Sequence, residues 1–198
     1  MNADLRRIID NCRVNLPGAL DAGIQLALFS TLQDFFDGSN IWTEDIQFDV
    51  TPDEQNYSVV PPGVSAITRL IGVWNSDDQY VSASMRTPGD LYLAFQPSQA
   101  DTFTARVALT ITDPTNREGY PEFPDWILKK YGVGLIDGVL GYMMSQPAKP
   151  YSNERLGIFH MRRFRSVVAR AKVEVAHENV YRGQNWKFPQ TFASRNWR

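Results

Sequence analysis

Cysteine and histidine are nearly missing from this sequence: one Cys and two His among 198 residues. A lone Cys12 forms no internal disulfide and no zinc site, so the fold suits a reducing compartment or is indifferent to one. No apolar run approaches the ~18–20 residues of a membrane span. The opening residues Asp4, Arg6, Arg7 and Asp10 are not followed by a greasy stretch, which predicts no secretion leader. His160 and His177 stand apart, without the His-Glu-x-x-His spacing of a metal-bound pair. They are expected to be a packed structural histidine and a surface residue at a helix end. Cys12, on a helix without a neighbouring base, is expected to be a buried inert thiol.

Aromatic residues, in contrast, are plentiful, with five Trp, eight Tyr and eleven Phe, enough for a packed core and too many for a disordered chain. The net charge is −2, but it is unevenly distributed. Residues 1–121 carry seven Lys/Arg against sixteen Asp/Glu, and residues 122–198 carry thirteen against six. Such polarity predicts an acidic surface and a basic one facing different neighbours. The carboxylate pairs Glu44/Asp45, Asp53/Glu54 and Asp77/Asp78 lack a calcium-loop pattern and are expected to be solvated turn residues.

Apolar periodicity divides the chain. Residues 3–14 and 17–37 repeat every three or four positions, as helices do. Pro17 is placed in the first turn of the second helix, and Gly38 at its C-terminal stop. From Asn40 to about Thr112 the period becomes two. Strands are expected at 103–111, at 66–74 with Ile67, Ile71 and Val73 on one face, around Leu91–Phe95, and at 42–50 and 57–60. Helices return at 125–145 and about 152–180, with Ser152 as N-cap of the latter.

The expected fold is therefore α+β and mainly α. It comprises a helical domain of residues 1–38 and 122–181, an inserted small antiparallel β module over 39–121, and an extended C-terminal tail, 182–198. In the tail, Arg182, Lys187, Arg195 and Arg198 alternate with Trp186, Phe188, Phe192 and Trp197, and no acid is present. That composition resembles a protein-docking segment more than a nucleic-acid stripe.

Chemistry-bearing motifs are scarce. Gly134, Gly138 and Gly141 fall at i, i+4 and i+7, on one face of a helix, and are not spaced as a nucleotide fingerprint. A glycine inside a helix costs about 1 kcal/mol relative to alanine, so three on one face predict another backbone packed very close. No nucleophile–base pair, metal set or cofactor motif is recognisable, and the chain is not expected to be an enzyme.

Three runs carry a resemblance: Phe123-Pro124-Asp125-Trp126; Leu135-Ile136-Asp137-Gly138 with Leu140; and Ser145-Gln146-Pro147-Ala148-Lys149-Pro150-Tyr151-Ser152. With the long helix that follows, its Phe164 and its alanine–arginine register at 169–172, this region resembles the head-to-tail adaptor proteins of tailed bacteriophages. The order of elements is similar along the whole chain, and the motifs are sharp over about 121–198.

The resemblance implies a structural virion protein at the head–tail neck, assembled in the host cytoplasm. It would form a ring of copies of itself, commonly twelve, beneath the portal protein. The ring would complete the head, extend the channel for double-stranded DNA without reading its sequence, and offer a platform to a tail nozzle or tail tube protein, with no membrane and no cofactor. Phe123, Pro124 and Trp126 would fix the entry of the first hairpin helix. Pro147, Lys149, Pro150 and Tyr151 would shape the hairpin turn. The basic and aromatic residues of 182–198 would dock on the portal. The competing expectation is another tail or virion binding module whose β insertion recognises a tail protein or a glycan, with Trp42, Trp74 and Tyr57 as ring platforms or simply as core.

Overall fold

The computed structural model describes residues 3–63, 65–112 and 123–177. The fold is α+β, with helix predominating. Two helices come first, α1 (Ala3–Asn15) and α2 (Asp21–Ser39). Seven strands follow: β1 (Thr43–Val50), β2 (Asn56–Ser58), β3 (Ser65–Trp74), β4 (Tyr80–Val81), β5 (Ala83–Thr87), β6 (Asp90–Leu93) and β7 (Asp101–Ile111). Helices α3 (Asp125–Met144) and α4 (Glu154–Ala176) complete the described chain.

The strands form two antiparallel sheets, ordered β1-β7-β3-β4 and β2-β6-β5. On β7, Phe103, Ala105, Val107, Leu109 and Ile111 are all buried, as the alternation predicts. Ala108 and Thr110 are buried as well, so both faces of this strand are covered; α2 packs against it. The side chain of Gln33 on α2 donates to the Ile111 carbonyl at 3.1 Å. Strand β3 departs from the expected alternation. Its pairing with β7 shifts register between Ile67 and Arg69 and again between Leu70 and Gly72. Each extra residue reverses the faces, so Ile67 and Val73 are buried while Ile71 is exposed. Phe95 lies beyond the end of β6 and is also exposed.

Helix boundaries differ from expectation where caps decide them. Helix α2 begins at Asp21, and Pro17 lies in the turn from α1, where Gly18 has φ +80°. At its other end α2 runs past Gly38 to Ser39 and stops at Asn40, whose left-handed φ of 52° directs its N–H to the Phe36 carbonyl. Gly38 has another use: a Cβ there would lie 2.7 Å from Val168 Cγ1, so α4 crosses α2 at this point. The N-cap of α4 is Asn153 rather than Ser152. Its side chain accepts the Leu156 N–H at 3.1 Å, whereas Ser152 belongs to the preceding turn, its N–H bonded to the Lys149 carbonyl.

Helix α3 is the centre of the helical part. It packs against α1, α2 and α4 and is buried on nearly every side, from Ile127 and Tyr131 through Leu135 and Val139 to Met143. Helix α4, in contrast, buries only Gly157, Phe164 and Ala171, one residue per heptad. Its 23 residues extend roughly 34 Å, and the rest of its surface carries Arg155, Arg162, Arg163, Arg165, Arg170 and Lys172. Where helices meet sheet, Phe35, Phe36, Trp42, Phe123 and Tyr131 form a ring cluster with centroid separations of 5.2–6.2 Å. One continuous core runs through both parts.

The glycine face of α3 meets α4. A Cβ on Gly134 would lie 2.6 Å from Val167 Cγ1, and on Gly138 2.4 Å from Thr31 Cγ2 and 2.9 Å from Phe164. On Gly141 it would lie 2.9 Å from the Met161 backbone nitrogen, and on Gly157 2.7 Å from Ser145 Oγ. At Gly141 the obstacle is backbone, which cannot rotate away. Gly141→Ala is therefore expected to destabilise the protein by about 1–3 kcal/mol. Gly132→Ala, whose Cβ would have only Ile8 Cδ1 at 4.0 Å, should be neutral or stabilising by up to ~1 kcal/mol. Urea unfolding midpoints of the two variants measure the contrast.

Candidate functional site

The packing residues singled out in the sequence lie on α3, at its entry and in the turn to α4. Phe123 is half-buried and lies edge-on to Phe36 at 5.3 Å, anchoring the chain as it enters α3. Pro124 occupies the N-cap position, where its fixed φ of −58° suits a helix start, and its carbonyl accepts the Ile127 N–H. Trp126 is turned outward, 44% exposed. Gly134, Gly138 and Gly141 bring α4 in, as described above.

The connection 145–152 is a compact turn. Pro147 and Ala148 lie in it, the latter at φ 58°, and the Lys149 carbonyl accepts the Ser152 N–H. Tyr151 is half-buried against the core. Pro150 faces the α1–α2 turn, since a Cβ on Gly18 would be 3.7 Å from its ring. The tail residues Arg182, Trp186, Lys187, Phe188, Phe192, Arg195, Trp197 and Arg198 lie outside the described residues.

Two polar ties between α3 and α4 escape the sequence reading. Asp137 is buried on α3, and its two oxygens take different partners: Oδ1 lies 2.8 Å from His160 Nδ1, and Oδ2 lies 3.1 Å from Arg163 Nε. Asp137 is the sole charged residue of 131–148, and a carboxylate isolated in so apolar a helix is the signal that points to a buried partner. A His–Asp pair is half of a nucleophile-activating relay, yet no described hydroxyl or thiol is hydrogen-bonded to His160. The trio thus joins two helices. Nearer the exit of α4, Glu174 receives Lys130 Nζ at 2.6 Å and the Tyr131 hydroxyl.

Cys12 is fully buried, and burial pushes its thiol up to about 12. Among the described residues no group of His, Cys, Asp and Glu is placed to hold a metal ion, and no helix is long and apolar enough to cross a membrane. The acid pairs divide. Asp53 and Asp78 do sit in turns with left-handed φ, but Glu44 and Asp45 lie on β1. There Asp45 accepts Arg106 in a two-pronged pair at 2.7 and 2.8 Å, which holds its carboxyl below the usual range.

The aromatic platform candidates separate likewise. Trp42 is core, with its indole N–H on Glu44 at 3.2 Å, and Tyr57 stacks on Phe48. Trp74 is half-exposed, beside the exposed Tyr80 at 6.1 Å and with the Arg106 guanidinium 5.2 Å over its ring. It lines a cleft of about 710 Å³ with Trp126, Ile71, Arg106 and Glu174, between the sheet and the ends of α3 and α4.

The Glu174 tie makes a pH-dependent prediction. Hydrogen bonding to Lys130 and Tyr131 holds its carboxyl below the ordinary value of 4.5. A depressed carboxylate contributes stability above its unfolded pKa and loses it as pH falls through the folded one. Glu174→Gln should therefore be less stable than the parent at neutral pH, by about 0.2–1 kcal/mol for so exposed a pair. The difference should close as the pH drops below 4.5, as read from urea midpoints across the range.

In comparisons with known proteins, no family model and no curated sequence matches the chain.

Proposed function

We propose that this protein is a structural virion component, a head-to-tail adaptor that assembles as a ring beneath a phage portal, extends the DNA channel and presents a platform to the tail. The observation that carries the reading is the α3–α4 hairpin. The runs that resemble the adaptor family occupy its entry (Phe123–Trp126), its glycine-packed seam and its turn (145–152). Further support comes from charge: a basic, sparsely buried α4 on a chain whose first 121 residues are strongly acidic. Unlike faces of that kind match the heterologous contacts from which rings close. No described cluster favours catalysis instead.

A second reading, a module that binds a tail protein or glycan through its β insertion, is favoured by one observation. The half-exposed Trp74, with Tyr80 and Arg106 around it, faces an open cleft, a setting in which rings stack on sugars or peptides.

Electron microscopy of the purified protein, alone and mixed with portal rings of the virus that encodes it, tests the proposal. A ring stacked on the portal is the expected result. Deleting 182–198 should abolish portal binding and leave the helical circular dichroism intact. Undiminished binding by that truncation would overturn the role of the tail, and no association of the full chain would overturn the adaptor reading.

A further inference from the structure

Residues 40–112 carry nine Asp/Glu and only three basic residues, Arg69, Arg86 and Arg106. Arg106 pairs with one of these carboxylates, Asp45. Arg69 and Arg86 do not: no described residue forms an ion pair with either. Both instead line one cleft of about 440 Å³, along with the hydroxyl-bearing Thr68, Ser84 and Thr87, and no acidic residue lines it. Two guanidinium groups with no ion-pair partner among the described residues, gathered in one recess, run against the electrostatics of the module around them.

The backbone is built to place them there. The cleft lies between β3 of one sheet and β5 of the other, at edges across which no strand pairs among the described residues. Strand β3 pairs with β7 on one side, and on the other with β4 only at Val73 and Trp74. Strand β5 pairs with β6 alone. Both cleft strands are bulged at this level: β3 on either side of Arg69, and β5 between Met85 and Thr87, which makes Arg86 the extra residue. Bulges re-aim side chains and accumulate beside functional sites. Arg86 is further held by the Tyr92 ring, 4.4 Å beneath its guanidinium, which lowers the cost of fixing a long side chain.

We propose that this cleft is a phosphate-binding site, with Arg69 and Arg86 gripping one phosphate group and the Ser84 hydroxyl adding a neutral donor. A single carboxylate is satisfied by one guanidinium fork. A tetrahedral phosphate offers oxygens to two forks and a hydroxyl at once. The phosphate could belong to a nucleic-acid backbone or to a small phosphorylated molecule, and the chemistry of recognition is common to both. The site does not depend on the adaptor reading.

The test uses the full chain, with Arg69→Gln and Arg86→Gln alone and combined, and Arg165→Gln on α4 as a charge-matched control. Thermal unfolding is followed in inorganic phosphate against chloride at fixed ionic strength, and anisotropy is measured with a labelled DNA duplex. Phosphate should raise the unfolding temperature of the parent and of the Arg165 variant. Each cleft substitution should weaken the apparent affinity by about tenfold, and the unfolding temperature in chloride shows that the variants are folded. Loss of duplex binding in parallel assigns the phosphate to nucleic acid. Loss of the inorganic phosphate effect alone assigns it to a small ligand. An equal effect of acetate, or a phosphate response unchanged by both cleft substitutions, would overturn the proposal.

Discussion

The distance between α3 and α4 is the constraint on which the helical part depends. With Gly141 under the Met161 backbone and Gly157 under Ser145, the two helices approach more closely than any larger residue would permit. That approach brings Phe164 against Gly138 of α3, which Thr31 of α2 also touches, and it brings His160 and Arg163 to the buried carboxylate of Asp137. Were the helices held apart by methyl groups, Asp137 would be left buried without its partners, a state costing several times what the tie contributes. Tight packing and polar satisfaction are thus one condition, met together or lost together.

Charge is arranged around this frame by exclusion. The hairpin interior admits a single carboxylate, neutralised from α4, while the remaining arginines of α4 are displaced to its outer surface. The sheets hold the acids. Their Arg106 is committed to Asp45 and lies over Trp74, so the large cleft beside Trp126 presents flat rings and a paired guanidinium, with Glu44 and Glu174 also on its wall. The smaller cleft at Arg69 and Arg86 has the opposite character, cationic within an acidic module. Two recesses a few strands apart therefore offer very different chemistry.

Much of this organisation is legible in the sequence because the signals are local and repeated. The change of period near residue 40, the alternation of β7 and the glycines at 134, 138 and 141 each follow from a rule that one element obeys alone. What escapes depends on a partner. The exposure of Ile71 follows from bulges against β7, and no alternation of residue types records a register shift. Gly38 reads as a stop signal but serves as a crossing point, because α4 is distant in sequence. The preference for Asn153 over Ser152 as cap is a matter of one residue between two good cap formers. His160 looks solitary because Asp137 is a helix away. The hairpin part of the candidate site was visible for its packing chemistry, the Arg69–Arg86 pair was not, and 182–198 lies outside the described residues.

The heptad spacing of Gly157, Phe164 and Ala171 has a mechanical meaning. A straight helix drifts by about 20° per heptad relative to a seven-residue repeat, so a seam one residue wide runs obliquely along α4. Only Phe164 contributes a large buried side chain to it. Around Phe164 the part-buried Met161, Val167, Val168 and Val175 also pack on the core, with polar ties on either side at Asp137 and Glu174. Opening of its last turns would break the Glu174 network and also uncover Ala171 and Val175, so this end is held by polar and apolar contacts together. The helix that precedes 178–198 is thereby held to the core by contacts spread along its length, from Gly157 to Val175.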